Sequence, residues 1–336
     1  MIIRTQVQAR AGLLGNPSDM YGGKALSFLI GDFTARVHLW ESPLLTFGLH
    51  PQHDRTEFAD LPDLVTSVRR HGYYGMQRLL FATCRRFWDY CQEQGLRVRK
   101  ANFTLEYETD IPRQSGLGGS SAMVIAALRA LLKFHRVPAK AVSARELAEL
   151  ALSVETRELA LRAGLQDRVV QSYGGLTYMD FSTKRGRYTR LNSGRLPRFG
   201  LAYLTEEQLG TWESGRVHEQ VHYRWEQGDA VVSRTMREIA RCAEAGRQAL
   251  SKGDVKRLGR LMNRNFDLRR ELYGDEALGE HNLALVEIAR RLGLPAKLPG
   301  SSGAALILLG DDGDVERALS EAYAAGGYRY LTITSR

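Results

Sequence analysis

The stretch Pro112-Arg-Gln-Ser-Gly-Leu-Gly-Gly-Ser-Ser-Ala122 decides the fold, because it joins a predicted strand to a predicted helix. The preceding residues Asn102–Glu108 alternate β-forming and polar side chains, and the apolar run Met123–Leu132 favours a helix. Glycines let a backbone approach a ligand closely, and the N–H groups of a helix N-terminus bind phosphate. The stretch therefore predicts a phosphate-binding loop, although it lacks the Gly-Lys-Ser/Thr ending of a P-loop. A simple turn or a close helix–strand contact is the alternative.

The size and composition of the chain favour a folded protein of one large or two medium domains. It has 336 residues, of which 43% are hydrophobic, enough for a packed interior. No apolar run reaches the ~18 residues that a membrane span needs, so no membrane association is expected. The N-terminal residues Met1–Val7 are typical of a strand and not of a secretion signal.

The three cysteines, Cys84, Cys91 and Cys242, have no metal-ligand spacing. Cys84 and Cys91 are seven residues apart on a predicted helix, so we expect them to share its apolar face. Sparse cysteines in an odd number are typical of a reducing compartment, which predicts a cytoplasmic location.

The charge balance is basic, with 47 lysines and arginines against 38 acidic residues, a net charge of +9 and a pI of about 9.5. Such a balance favours anionic partners, either nucleic acid or a small anion such as a nucleotide or an acid sugar. The arginines are scattered along the chain, and no zinc-finger or basic-zipper pattern is present. We therefore expect small anionic ligands and no nucleic acid.

Periodicity predicts mixed strands and helices over the whole chain. The expected strands are Ile2–Ala9, Ala25–Ile30, Ala35–Trp40, Leu44–Phe47, Asn102–Glu108, Leu176–Asp180, Gly200–Leu204, Ala304–Leu309 and Tyr328–Ile333. The expected helices are Tyr74–Glu93, Ser121–Phe134, Ala144–Arg162, Leu165–Tyr173, Gly215–Gln227, Ala230–Leu250, Asp254–Leu272, Asn282–Leu292 and Asp314–Ala325. A polar turn is expected at Ser182–Tyr188.

Two further loops are rich in small and polar residues. Ala9–Lys24 follows the first strand and contains Gly, Asn, Pro, Ser and Asp, whereas Lys297–Ala305 is a Gly/Ser turn that enters a strand. Loops of this composition place polar groups at the mouth of a site.

The ordered set of three loops resembles the GHMP kinases, the superfamily of galactokinase, homoserine kinase and mevalonate kinase. Their central motif is Pro-x-x-x-Gly-Leu-Gly-Ser-Ser-Ala, and the residues that match it are Pro112, Gly116, Leu117, Gly118 and Ser120. Gly119 stands in place of the first serine and Ser121 in place of the alanine. The resemblance implies an α+β, two-domain GHMP kinase fold. A ribosomal-S5-like N-terminal domain would span residues 1–190 and a ferredoxin-like α/β C-terminal domain residues 191–336.

Within that superfamily the chain is most similar to the glucuronokinase branch. The shared stretches include Gly15–Asp19, Gly164–Val169, Met179–Ser182 and Ser214–His218, and the third loop departs from the branch at Leu298, Pro299 and Ser302. The resemblance implies a kinase that uses ATP and Mg²⁺ to phosphorylate the anomeric hydroxyl of D-glucuronate. A kinase for another sugar or uronic acid (galacturonate, galactose or arabinose) and a non-catalytic ligand-binding protein of the same fold remain alternatives.

The resemblance also assigns the chemistry to particular residues. Asp167 would be the catalytic base, with Arg10 as its cationic companion, and Mg²⁺ would be held by Ser120 and Glu155. The nucleotide phosphates would lie on Pro112, Gly116, Leu117, Gly118, Gly119, Ser120 and Ser121. A structural salt bridge is the alternative for Arg10 and Asp167, and a surface helix carboxylate is the alternative for Glu155. The presence of Arg10, Ser120, Glu155 and Asp167 together favours catalysis over ligand sensing.

The substrate site implied by the resemblance contains Asp19, Tyr21, Arg113, Arg168, Arg216, Gly300 and Ser301. A carboxylate such as Asp19 accepts hydroxyl groups of a pyranose, although aspartate is also common in turns. The carboxylate of a sugar acid is best matched by an arginine fork, which makes Arg113, Arg168 and Arg216 candidates. Each of these arginines has the alternative role of holding a loop through an ion pair.

Overall fold

The computed structural model describes residues 2–50, 54, 76–208, 216–310 and 312–335. The strands in this part of the chain are β1 (Ile2–Leu14), β2 (Lys24–Glu41), β3 (Thr46–Phe47), β4 (Phe103–Thr109), β5 (Leu176–Asp180), β6 (Arg187–Leu191), β7 (Phe199–Tyr203), β8 (Ala296–Lys297), β9 (Ala304–Leu308) and β10 (Arg329–Ile333). The α-helices are α1 (Met76–Glu93), α2 (Gly119–Phe134), α3 (Ala144–Ser153), α4 (Gln166–Tyr173), α5 (Arg216–Glu226), α6 (Ala230–Lys252), α7 (Val255–Tyr273), α8 (Asp275–Leu278), α9 (Glu280–Arg291) and α10 (Gly313–Ala325). The expected mixture of helices and strands is confirmed.

The strands form two sheets. The first has the order β3-β4-β2-β5-β6, with β1 also paired to β2, and the second has the order β10-β7-β9-β8. All pairs in the second sheet are antiparallel, with Leu201 opposite both Leu331 and Leu306. In the first sheet β3 runs parallel to β4.

Strand β2 shows why two predicted strands are one. Ala25–Ile30 and Ala35–Trp40 were expected as separate strands, but the chain stays extended through Gly31 and Asp32. The N-terminal half of β2 pairs with β5, and the C-terminal half pairs with β4. Because each half has its own antiparallel partner, the intervening residues remain in one continuous strand.

The chain divides into two compact units that are interleaved in sequence. Unit 1 contains Met1–Ala9, Phe33–Ile111 and Gly119–Ser172, and unit 2 contains Arg10–Asp32, Pro112–Gly118 and Tyr173–Arg336. The domain boundary expected between residues 190 and 191 stays a prediction. All three glycine-containing loops belong to unit 2, from Arg10 onward in the case of the first and up to Gly118 in the case of the central one.

The core of unit 1 is organised by α2, which is buried on nearly every side. Its residues Ala122–Leu128 are fully buried, and the Thr5 hydroxyl of β1 donates to the carbonyl of Ala126 at 2.7 Å. This packing fixes the helix whose first residue, Gly119, follows the Gly/Ser loop.

The core of unit 2 lies between the second sheet and its helices. Leu285, Val286 and Ala289 of α9 pack with Ala305 and Ile307 of β9. Burial of such apolar side chains provides the main stabilisation of a core of this kind. In the described ranges, no helix is long and apolar enough to cross a membrane.

Candidate active site

The Gly/Ser loop has the backbone conformation that its glycines predict. The φ angles of Gln114, Gly116 and Gly118 are 51°, 64° and 73°, in the left-handed region that favours glycine. The Ser115 hydroxyl donates to the carbonyl of Pro112 at 2.6 Å and shapes the turn. Helix α2 begins at the next residue, Gly119, so the loop ends at the positive end of a 16-residue helix.

The Gly/Ser loop lies against the third loop within unit 2. A Cβ atom added to Gly300 would sit 2.0 Å from the carbonyl oxygen of Gly116, and one added to Gly303 would sit 2.1 Å from that of Gln114. Both separations are shorter than any real contact. The two backbones therefore touch, and this approach requires glycine at positions 300 and 303.

Arg10 connects the two loops. Its guanidinium is buried and donates to the carbonyls of Gly116 at 2.5 Å and Pro299 at 3.0 Å, while its backbone N–H donates to the carbonyl of Leu117 at 2.9 Å. Arg10 is thus bonded to the predicted phosphate loop itself. Because Arg10 belongs to unit 2 and Asp167 to unit 1, their predicted pairing stays a prediction.

Three charged side chains that the sequence singled out lie together in unit 1. The Arg168 guanidinium forms an ion pair with Glu155 and donates to the carbonyl of Gly164 at 2.9 Å. It also lies 3.8 Å from the carboxylate of Asp167. Glu155 and Arg168 are 5% and 4% exposed, so a surface helix carboxylate does not describe Glu155. Of the three, Asp167 is the more exposed, in the first turn of α4.

The burial of Glu155 depends on an irregular turn. A helix was predicted from Ala144 to Arg162, but α3 ends at Ser153 and a π-helical turn spans Val154–Glu158. Such turns insert one extra residue into a helix, rotate the side chains that follow, and occur often at functional sites. Periodicity did not predict the turn because neither glycine nor proline interrupts the sequence there.

Asp19 and Tyr21 form a second polar group, within unit 2. They lie on a short 3₁₀ turn (Ser18–Tyr21) close to Tyr273 of α7. Burial raises the pKa of the Tyr273 hydroxyl, and Tyr21 and Asp19 raise it further. The ring of His218 is joined to Tyr273 by a 2.8 Å hydrogen bond at Nδ1. The pKa of His218 is lowered to about 3, first by desolvation and then by nearby Arg269.

Two buried cations were missed by the sequence analysis. Arg269 of α7 is 2% exposed, and its terminal nitrogen atoms donate to the carbonyls of Gly300, at 2.5 Å, and Ser301. Lys297 is 1% exposed, and its amine donates to Gly12, Asn16 and Leu298 at 2.6–2.8 Å. Burial lowers the pKa of Lys297, whereas its three oxygen acceptors match the three N–H groups of an ammonium.

A periodic signal for Arg269 was present. Met262, Asn265, Arg269 and Leu272 are buried at helical spacing on one face of α7. An arginine at this position of the apolar stripe indicates a buried cation. From residue type alone, both Arg269 and Arg270 would be expected on the solvated surface.

The remaining predicted residues have simpler surroundings. Ser120 and Ser121 lie in the first turn of α2, where Ser121 is buried, and Arg113 is partly exposed. Arg216 begins α5, but its side chain lies outside the described residues.

The polar groups of the predicted site residues are of the chemical types that bind a nucleotide phosphate and a divalent cation. The left-handed glycines of the loop leave backbone N–H groups without a Cβ in front of them, which suits phosphate oxygen atoms. Ser120 and Glu155 supply a hydroxyl and a carboxylate oxygen, the donor class that Mg²⁺ prefers. Arg168 shares the carboxylate of Glu155, so a cation there competes with a guanidinium.

Comparison with known proteins identifies relatives over nearly the whole chain. The model of the GHMP kinases N terminal domain matches residues 80–175, and the model of the GHMP kinases C terminal domain matches residues 247–328. Probable glucuronokinase 2 of Arabidopsis thaliana is 45% identical over 95% of this chain and 88% of its own length. Glucuronokinase 1 of the same plant is 43% identical over the same shares.

The fold also matches solved structures of low sequence identity. Streptococcus pneumoniae phosphomevalonate kinase, in complex with phosphomevalonate and AMPPNP, superimposes with a TM-score of 0.74 at 16% identity, over 99% of this chain and 100% of the other. The α+β GHMP kinase fold expected from the sequence is confirmed.

Proposed function

The chain belongs to the GHMP kinases and is a sugar kinase, and from this premise we propose that it phosphorylates the anomeric hydroxyl of D-glucuronate with ATP. The choice of glucuronate as the substrate is supported by the 43–45% identity to two plant glucuronokinases over 95% of the chain. The product would be glucuronate 1-phosphate. The basic net charge of +9 agrees with two anionic substrates.

The proposed reaction consists of one phosphoryl transfer and one proton transfer. The O1–phosphorus bond forms as the bond between the β,γ-bridging oxygen and the γ-phosphorus breaks, and Asp167 accepts the proton of the anomeric hydroxyl. Asp167 lies in the first turn of α4, and its carboxylate is 3.8 Å from the Arg168 guanidinium. Arg10 would stabilise the charge that grows on the transferred group.

The nucleotide would lie on the Gly/Ser loop, Pro112–Ser121. Arg10 and the contact with Gly300 hold this loop in shape before ATP arrives, which lowers the ordering cost of binding. Ser120 and Glu155 would hold Mg²⁺, which when bound neutralises phosphate charge. Asp19 and Tyr21 would bind sugar hydroxyls, and Gly300 and Ser301 would border the sugar.

The proposal is tested by ADP release with ATP and magnesium against six reactions: glucuronate, galacturonate, glucose, galactose, arabinose and no sugar. Turnover on glucuronate well above the others supports it, with ³¹P NMR of the product to identify the anomeric phosphate. Turnover on a different sugar would support the kinase activity but contradict glucuronate as the substrate. ATP binding without turnover on any sugar contradicts the proposal and favours a ligand sensor.

The proposed setting is the cytoplasm, on the basis of the free cysteines Cys84, Cys91 and Cys242. The proposed partners are ATP and the sugar acid, without nucleic acid. Binding to an oligonucleotide that weakens steeply with salt would contradict that last point.

A further inference from the structure

Arg269 carries a buried charge that no acidic side chain neutralises among the described residues. Its terminal nitrogen atoms bind the carbonyls of Gly300 and Ser301, which are neutral groups. Its Nε atom is buried and has no hydrogen-bond partner. Removing a guanidinium from water costs free energy that a carbonyl pair only partly offsets. The arrangement therefore leaves a positive charge and one N–H donor available to an anion.

Other arginines of the same helix are paired with acids. Arg264 lies 2.9 Å from Glu238, and Arg270 lies 2.6 Å from Asp275. Both of these guanidinium groups are much more exposed than that of Arg269. On this helix, carboxylates thus accompany Arg264 and Arg270, where the desolvation cost is small, and none of the described carboxylates accompanies Arg269, as expected if a ligand provides the missing charge.

The surroundings of Arg269 match a sugar acid. Its guanidinium lies 5.5 Å from the centre of the Tyr273 ring, and the Tyr273 hydroxyl is linked to His218 and lies next to Tyr21. Asp19, a predicted sugar ligand, acts electrostatically on the same hydroxyl. Hydroxyl donors and acceptors beside a buried cation are the groups that a polyhydroxylated carboxylate requires.

A role in binding ATP phosphates is less consistent with these contacts. Arg10 is the cation bonded to the Gly/Ser loop, through Gly116, whereas Arg269 binds the third loop at Gly300 and Ser301 and faces Tyr273. Both buried arginines thus hold the third loop, Arg10 through Pro299 and Arg269 through Gly300 and Ser301, but it is Arg10 that also donates to the Gly/Ser loop.

We propose that Arg269 binds the carboxylate of the sugar-acid substrate and thereby selects a uronate over a neutral sugar. This inference rests on the proposed function. It assigns the carboxylate to a residue other than Arg113, Arg168 and Arg216. Arg168 is already engaged by Glu155.

The test measures how a change at residue 269 and a change in the charge of the substrate act together. Wild type, Arg269→Gln and Arg269→Lys are assayed with glucuronate, its neutral carboxamide (glucuronamide) and glucose, at saturating ATP and magnesium. Arg270→Gln is the matched control, because it removes the neighbouring arginine, which is paired with Asp275. Losing a charge-assisted hydrogen bond should lower kcat/KM for glucuronate by roughly 10- to 100-fold in Arg269→Gln. The kcat/KM for glucuronamide and glucose should fall much less, so the preference for glucuronate over its neutral analogues should shrink.

The outcomes separate this inference from the proposed function. A wild type that does not phosphorylate glucuronate contradicts the proposed function itself, whereas one that phosphorylates glucuronate without a preference over glucuronamide overturns only the inference about the carboxylate. A wild type with that preference, retained in Arg269→Gln, overturns only the role of Arg269. Equal losses on all three sugars also overturn it and assign Arg269 to tethering the third loop.

If Arg269→Gln does not fold, Arg269→Lys retains the charge and should keep part of the preference for glucuronate. A structure of the wild type provides a further test, which does not depend on a stable variant. A crystal structure of the wild type with glucuronate and ADP should place the carboxylate within hydrogen-bond distance of Arg269. A carboxylate bound elsewhere would overturn the inference.

Discussion

At the scale of single residues, Asp167 should matter for turnover and little for stability. Its side chain is partly exposed, so Asp167→Asn removes a charge without opening a cavity. Loss of a positioned base is expected to lower kcat by about 10²- to 10⁴-fold. Steady-state kinetics and thermal unfolding measure the two effects separately. A variant with wild-type kcat would exclude Asp167 as the base.

Glu155 should affect both magnesium use and stability. Replacing it by Gln breaks the buried ion pair with Arg168, which typically costs about 3–5 kcal/mol, although Asp167 remains 3.8 Å from the same guanidinium. The same change should raise the magnesium concentration needed for half-maximal activity. Denaturant unfolding and a magnesium titration provide the two measurements.

Glu158 offers a matched control for that experiment. It lies in the same π-helical turn but is exposed, so Glu158→Gln should change stability by less than about 0.5 kcal/mol. If Glu155→Gln were destabilised but kept its magnesium requirement, Glu155 would be a partner of Arg168 and not a metal ligand.

Residue identity predicted the site only in part. Gly116, Arg10 and Gly300 were named from their motif positions and the structure brings them together, while the roles predicted for them stay predictions. Arg269 could not be named from its type, because a charged residue is buried only when distant segments enclose it. That enclosure depends on the third loop, about 30 residues further along the chain.

At the scale of elements, the contact between the two loops predicts an effect of Gly300→Ala. The added methyl group would overlap the Gly116 carbonyl and force the loops apart, at a cost of about 1–3 kcal/mol. Because the Gly/Ser loop moves with it, the KM for ATP should rise. Gly310→Ala is the control, since a Cβ there meets open space. An unchanged KM for ATP in Gly300→Ala would show that the loop contact does not shape the nucleotide site.

A polar cluster that joins β2, β5 and α6 should make stability depend on acid pH. The Glu244 carboxylate accepts from Tyr178 at 2.5 Å, Arg247 at 2.7 Å and Lys24 at 3.0 Å, and these partners lower its pKa to about 2. A lowered pKa in the folded state stabilises the fold above the usual value of 4.5, and this stabilisation is lost as pH falls from there towards 2.

The variant Glu244→Gln tests that linkage. Its free energy of unfolding should be lower than that of wild type by the order of 1–3 kcal/mol at neutral pH. The difference should shrink between pH 4.5 and pH 2, as measured by urea unfolding at several pH values. A difference that stays constant down to pH 2 would mean that the charge of Glu244 is not responsible.

Elements with regular apolar patterns were predictable, and irregular or polar ones were not. Strand β5 was predicted at its observed bounds, Leu176–Asp180, because all five residues are buried. The expected polar turn at Ser182–Tyr188 was wrong at its end, since β6 begins at Arg187. No residue of β6 is buried, and its pairing with β5 supplies a structure that its polar sequence does not indicate.

At the scale of the whole molecule, the three free thiols should react slowly in the native state. Burial raises the pKa of Cys84 to about 12 and those of Cys91 and Cys242 to about 11. At pH 8 about one thiol in a thousand or fewer is ionised at each position, so a thiolate-directed reagent has little to attack. Mass spectrometry after timed labelling should show modification that follows unfolding. Rapid labelling of the native protein would contradict the burial of these groups.

The thiols also report on the two units separately. Cys84 and Cys91 lie on α1 of unit 1, whereas Cys242 lies on α6 of unit 2. Labelling of the first two before the third would show that unit 1 opens first, and simultaneous labelling would show that the units unfold cooperatively.

The interleaving of unit 2 has a consequence for biosynthesis. Its first segment, Arg10–Asp32, leaves the ribosome long before Tyr173–Arg336, whereas every residue of unit 1 has been translated by Ser172. At bacterial or eukaryotic elongation rates the interval between Asp32 and Tyr173 is on the order of ten seconds. During that time the N-terminal half of β2 lacks its partner β5, which has not yet been synthesised. Until β5 has been made, the nascent polypeptide therefore exposes an unpaired strand edge to which other chains can add.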